Sequence, residues 1–400
     1  MITGPLQARS LGPSGRGDLA AILVPLTILP TLLDLGLTAY IVRARARGEP
    51  RNVLLGSLVP LSLAFSLVGV AAAFPLAHLI ANGRGIVQTG ITVGLLMSPI
   101  WVISLTAQGI PWGEERWRLL TFVRIAAPVV TALSMIVLYT VDSLTVASAF
   151  VVFIGASLIS TAPLVAVMAR SGRWQFKRDT MREGTRFGAK AWLGSLFNAT
   201  DARLDQLLMA GLVSPRELGL YAVAVNVASF PNSFIGAIAT AINPRVAQGN
   251  NELVKRSCRV SVLLITFATI AMAVVVPIMI RVLFGSAFNG AILLTWVLLV
   301  STISGTVSAA LLSALSASGH PGAAARTQMF VLAPTVIALV VLLPSTGALG
   351  AAVIATASSL TKFCALLSQA LRILGGRARD YLVIQRSDLR SVALAVRSRR

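Results

Sequence analysis

Asn198, Asp201, Arg203 and Asp205 all fall within one apolar run, residues 191–213. Its 23 residues are enough to cross a bilayer core as a helix. Ionisable groups at that depth are expensive, so they face a protein interior or a wet cavity rather than lipid. At about 100° per residue, Asn198, Asp201 and Asp205 (i, i+3, i+7) share one stripe and Arg203 points roughly the opposite way. Such a set could contact the polar head of a substrate or a coupling cation. It would equally serve as a clamp between helices, the acids pairing with a cation or turn backbone nearby.

Five further polar residues interrupt apolar runs. Asp34 lies in the stretch LDLGL, nine residues before Arg43. It fits a coupling-ion ligand or an acid paired locally. Arg124 lies six residues inside its run, within reach of snorkelling to the interface, and is otherwise a cavity cation. Lys362 is deeper and shares a face with Ser358 and Gln369, which suits a cavity cation or a snorkelling one. Asn226 and Asn232 flank Pro231; they fit cavity amides, or amides that satisfy backbone groups freed by the proline.

The elements that carry these residues are membrane helices. The chain is 56% hydrophobic and 12% charged, whereas a soluble domain is about one quarter charged. This predicts an all-α integral membrane protein. Eleven apolar segments follow one another: 19–42, 53–80, 86–110, 119–139, 144–169, 191–213, 220–242, 260–280, 291–315, 329–343 and 348–371. The opening residues are too polar for a signal peptide, and the Gly/Pro/Ser turn at 11–17 reads as an interhelical loop. No loop exceeds roughly 20 residues, which leaves no room for the polar loop domain of a membrane glycosyltransferase or polymerase. The two cysteines and two histidines have no metal or disulfide spacing, so no metal or cofactor is expected and a thiol or metal enzyme is excluded.

The net charge of +20 has a topological cause. Alternate loops beginning with 43–51 hold 26 Lys and Arg, and the other set, beginning with 1–18, holds 5. The positive-inside rule therefore places the first set, and the C-terminus, in the cytoplasm of a cell-membrane protein. Nucleic acid is excluded as a partner. Anionic lipids are expected against the basic loops, and the tail 372–400 suits an amphipathic surface helix or a disordered segment.

A weak internal repeat supports two halves. Gly17 to Arg43 and Gly219 to Arg245 each span 26 residues around a proline-bearing run, and the halves end at Arg170 and Arg372, offset by 202. This predicts an N-terminal lobe over 1–187, a C-terminal lobe over 188–371 and a basic tail over 372–400. Segment 191–213 has no counterpart in the first half; its partner would lie before residue 1, giving eleven helices of an expected twelve.

The stretches LGPSGRGDLAAIL, LDLGL, RLDQLLMAGLVSPRELGLYAVA, NPRVAQG, LFGSAFNGA and TGALGAAVIAT, in that order, resemble the polysaccharide-biosynthesis flippases of the wider MATE-like superfamily. The resemblance runs from Leu11 to the end of the last apolar run. It implies a two-lobed, V-shaped MATE-like fold that alternately opens to either side of the membrane. The implied substrate is a polyprenyl-pyrophosphate-linked oligosaccharide, with other polysaccharide-assembly membrane proteins as possible partners. A pyrophosphate head calls for cations, preferably the forked guanidinium of arginine. The rival reading is a MATE-type drug or cation antiporter. That would want acids in the first lobe, which offers only Asp34 at mid-membrane.

Overall fold

The computed structural model describes residues 3–232, 251–317 and 321–383, with the side chains of 193–202 and some other helical positions left out. The described residues are helical apart from short connections. Contacts divide the chain into Met1–Gly219 and Leu220–Arg400.

The first unit begins with α1 (Thr3–Leu33), whose helical geometry is broken at Gly12 (φ 65°). The expected loop at 11–17 is thereby compressed into one residue. Gly12 takes the left-handed turn, and Pro13 can open the following helix because its missing N–H would be unpaired there anyway. Leu6 and Leu11, before the break, pack with Leu19 and Leu23, after it, around Met135 and Leu144. Next come α2 (Leu37–Ala46), α3 (Arg51–Ala71), α4 (Ala73–Ala81), α5 (Gly85–Leu96), α6 (Ser98–Gly113), α7 (Trp117–Thr140), α8 (Val146–Ala169) and the 35-residue α9 (Arg178–Leu212). Several expected spans are therefore broken helices. Segment 19–42 bends through Leu35 and Gly36, both at positive φ, and α5 meets α6 at 46°.

Burial in this unit is distributed for lipid. On α7 and α8, Phe122, Leu133, Val137, Val151 and Val165 are exposed, as expected of helices whose outer face meets hydrocarbon rather than water. The interior holds Leu37, Ile41, Leu54, Leu55, Leu58 and Ile110 in one cluster. At one end, Glu114 accepts hydrogen bonds from Arg51 and, at 2.6 Å, from Arg45. Burial pushes the Glu114 carboxyl up, but the hydrogen bonds and charges of Arg51 and Arg45 outweigh it and hold the group below the ordinary carboxylate value.

α10 (Pro215–Ala228) leads from the first unit into the second. The second unit continues with α11 (Asn251–Met279), a short π turn at Ile280–Phe284, α12 (Ala291–Ala317), α13 (Pro321–Leu374) and α14 (Ala378–Leu382). α13 is two helices folded back on each other. Its geometry breaks at Gly347 (φ 59°), and the cross-pairs Thr335–Ser358 (2.8 Å) and Thr327–Gln369 (2.6 Å) are both centred within a residue of that glycine. The expected segments 329–343 and 348–371 are its two arms. The far half of segment 220–242, the NPRVAQG stretch and the tail beyond residue 383 lie outside the described residues.

Among the described residues, seven helices are long and apolar enough to cross a membrane, or eight if the bent α5–α6 pair is one span. The protein is thus a multi-pass, all-α membrane protein. The count falls below eleven because α13 holds two arms in one helix and because other spans are broken or partly outside the description.

Candidate functional site

The site is built along a seam in the first unit, where α9 runs antiparallel to α1 and α2. Trp192 Nε1 donates to the carbonyl of Leu32 at 2.7 Å, Gly188 meets the Leu35–Gly36 turn, and Tyr40 packs against Phe187. Gly36 has φ 73°, and a Cβ there would strike the Gly188 carbonyl. Glycine is therefore required twice over, once for the left-handed turn and once for the helix contact.

Asp34 lies at the middle of the seam and is buried. Its Oδ1 accepts from Thr38 Oγ1 at 2.7 Å and from Thr106 Oγ1 at 3.1 Å, and the Thr38 backbone N–H reaches Oδ2 at 3.3 Å. Ser62 Oγ continues the network, 2.8 Å from Thr106 Oγ1. Partners on α2 and α6, with a third hydroxyl on α3, close around the carboxylate that interrupts α1–α2. Low dielectric strengthens a satisfied polar network of this kind.

Towards the other end of the seam stand two arginines. Arg16 on α1 keeps 9% of its surface, and its Nε has no hydrogen-bond partner. Arg203 on α9 is close enough for the two charges to repel each other. The nearest acid in sequence, Asp18, is already paired with Arg84 at 2.8 Å, and Arg84 also donates to the Ala210 carbonyl at 2.6 Å. The helix start after Gly12 is pinned in place, since a Cβ on Gly17 would strike the Pro215 carbonyl. A buried cation without a partner costs several kcal/mol, roughly, unless an anion compensates it.

The other sequence candidates are placed as follows. Arg203 is exposed and donates from Nη1 to Gln206 Oε1 at 3.3 Å. Asp205 Oδ1 accepts from the Gln206 backbone N–H at 2.8 Å. The side chains of Asn198 and Asp201 lie outside the described residues. Arg124 is exposed, its guanidinium 4.9 Å from the centre of the Trp112 ring. In the second unit Asn226 is exposed, and Asn232 Oδ1 accepts from Thr306 Oγ1 at 2.6 Å. Lys362 is half-buried one turn beyond Ser358, which faces the opposite arm of the α13 hairpin. The structure therefore brings Arg203 to Arg16, and keeps Asp34 in its own hydroxyl cluster.

Arg16 is absent from the sequence candidates because it falls in the loop set rather than in an apolar run. One sign marks it, an arginine on the side where Lys and Arg are otherwise scarce. Among the described residues no cluster of three His, Cys, Asp or Glu side chains could hold a metal.

The fold is shared with several solved membrane proteins. An inward-facing multidrug-resistance MATE family transporter of the MOP superfamily matches with a TM-score of 0.70 at 15% identity, covering 93% of this chain and 94% of that one. The lipid II flippase MurJ, in an inward closed conformation, matches with a TM-score of 0.69 at 11% identity, covering 99% and 90%. The eukaryotic MATE transporter AtDTX14 matches with a TM-score of 0.61 at 13% identity, covering 95% and 96%. No curated protein matches the sequence. Residues 1–250 match the family model described as polysaccharide biosynthesis protein, and the chain belongs to that family.

Proposed function

We propose that the protein is a flippase that moves a polyprenyl-pyrophosphate-linked oligosaccharide across the cytoplasmic membrane for cell-surface polysaccharide synthesis, by alternating access. The observation that carries this reading is the buried Arg16, whose Nε has no hydrogen-bond partner among the described residues and which lies within electrostatic reach of Arg203. Among the described residues no acid pairs with this buried charge, which suits a doubly charged phosphate head. Two guanidinium groups can grip the non-bridging oxygens of a diphosphate with charge-assisted, forked hydrogen bonds. Membership of the polysaccharide biosynthesis family supports the glycan part, and likeness to a lipid II flippase supports the lipid carrier.

The rival is a cation-coupled antiporter, which likeness to MATE transporters and the buried Asp34 favour. Asp34 has its lone pairs engaged by Thr38 and Thr106, which makes it the weaker anchor for a transported cation. Cells lacking the protein separate the two readings. Build-up of a complete lipid-linked repeat unit on the cytoplasmic side, relieved by the restored gene, is the expected result. No build-up together with new sensitivity to cationic drugs would move the assignment to an antiporter.

A further inference from the structure

At the opposite end of the α9 seam from Arg16 and Arg203 lies a groove of about 400 Å³ between α2 and α9. Its walls carry Arg43 and Arg47 from α2 and its C-cap, and Arg186 and Lys190 from α9, with Glu49 and Glu183 as its acids. Each pair of cations is spaced i, i+4, so like charges sit one above the other. That spacing destabilises a helix. Tyr40 and Phe187 supply the apolar wall. The Arg43 guanidinium lies 4.7 Å from the centre of the Phe187 ring, and Tyr40 donates to Glu183 Oε2 at 3.2 Å.

The contrast with the neighbouring cations is informative. Arg45 and Arg51 share an ion pair with Glu114. Among the described residues, none of the four groove cations makes a salt bridge. Generic positive-inside anchoring asks only for charge on that face. It does not ask for four unpaired charges gathered into one concavity whose close walls are fixed by the Gly36–Gly188 contact.

The loop that leads into the groove carries exposed aromatics. The loop before α9 is tied to α3 by the Gln175 N–H to the Asn52 carbonyl (3.1 Å) and the Lys177 N–H to Ser57 Oγ (3.0 Å). Trp174 and Phe176, alternating with those tied residues, are exposed. An exposed tryptophan such as Trp174 suits the head-group region of a bilayer.

We infer that the α2–α9 groove is a binding site for the phosphate head of a membrane lipid, on the face that the Lys/Arg balance assigns to the cytoplasm. The arginines engage the phosphate oxygens, Phe187 keeps Arg43 oriented, and the acyl or prenyl chain remains in the bilayer. Phe187 and Arg203 are sixteen residues apart on α9, about 24 Å at the helical rise. A phosphate site thus stands towards each end of one seam. The groove does not depend on the flipping reading, because two lipids carry this chemistry: a polyprenyl diphosphate, and an anionic phospholipid such as phosphatidylglycerol.

The test uses the full chain in nanodiscs. Binding of farnesyl diphosphate is measured by titration in neutral-lipid discs, and retention of phosphatidylglycerol by native mass spectrometry from mixed discs. The wild type, Arg43→Gln/Arg186→Gln, Arg47→Gln/Lys190→Gln and the exposed control Arg118→Gln are compared, each checked for an unchanged melting temperature. At least a tenfold loss of farnesyl diphosphate affinity in both double variants, and none in the control, supports the site with the diphosphate as its lipid. Loss of phosphatidylglycerol retention alone, again only in the double variants, supports the site with a phospholipid as its occupant. Unchanged binding of both lipids, or an equal loss in Arg118→Gln, overturns the proposal. Transport is assayed separately, so a failed groove leaves the flipping reading intact and a failed flipping assay leaves the groove testable.

Discussion

Arg16→Met removes a guanidinium that the fold buries without a partner for its Nε, and keeps an unbranched apolar stem to fill the same space. On the insertion scale an arginine at the bilayer centre costs about 2.5–3.5 kcal/mol, an upper bound for Arg16 near a helix start. Some of that is already relieved in a protein interior, so the gain in apo stability should be about 1–3 kcal/mol. For a unit the size of Met1–Gly219, each kcal/mol moves a melting temperature by about 2–4 °C. The melting temperature in detergent should therefore rise, where most core substitutions lower it. Transport should move the other way. One charge-assisted hydrogen bond to a phosphate is worth about 1.5–3 kcal/mol, and each 1.4 kcal/mol is about tenfold, so kcat/KM for a lipid-linked oligosaccharide should fall at least tenfold. Arg16→Lys, which keeps the charge but not the fork, should recover part of it. The assay is a thermal melt of purified protein beside lipid-linked oligosaccharide export in cells carrying each variant at matched expression. A lowered melting temperature with normal export would refute the reasoning, because Arg16 would then be a structural residue.

Arg203→Ala should impair export without loss of membrane insertion; normal export at normal expression would remove it from the site. Gly36→Ala must place an L residue at φ 73° and push a Cβ into the Gly188 carbonyl. The left-handed turn alone costs roughly 1–2 kcal/mol, so a clear fall in melting temperature is expected, and an unchanged melt would contradict the seam geometry. Asp34→Ala strips the acceptor from the Thr38 and Thr106 hydroxyls. It should cost about 1–3 kcal/mol in thermal stability for the groups left unsatisfied, which a denaturation series would measure. For Glu114, whose folded carboxyl titrates below its unfolded value, the stabilisation is present above the unfolded pKa and is lost as pH falls through the folded one. The melting temperature of the wild type should therefore drop on acidification more than that of Glu114→Gln, which starts lower at neutral pH; parallel curves would refute the assignment.

Much of this arrangement can be read from the chain itself. The apolar runs announce membrane helices because hydrocarbon demands about twenty apolar residues per crossing. Asp34 and Thr38 are four residues apart, near enough in sequence for a local contact across the Leu35–Gly36 turn. The polar stripe of Ser358 and Gln369 is equally visible, but its orientation is not: both face the other arm of the α13 hairpin, a tertiary contact that no local period encodes. The same limit hides Thr106, which reaches Asp34 across 72 positions of sequence. Arg16 escapes because a single arginine in a glycine-rich turn looks like a solvated loop cation. Only the packing of Gly17 against Pro215 and the diversion of Asp18 to Arg84 leave it buried with its Nε unpartnered among the described residues. Broken spans are also obscured, since Leu35 takes a positive φ that side-chain composition gives no reason to expect.

The most direct measurement is translocation in proteoliposomes that contain only this protein and a polyprenyl-diphosphate-linked oligosaccharide, scored by the fraction of glycan accessible to an external glycosidase over time. The proposed function predicts protein-dependent exchange between leaflets that Arg16→Met and Arg203→Ala both slow by at least tenfold. Exchange no faster than in empty liposomes, from protein that retains its native melt, would contradict it.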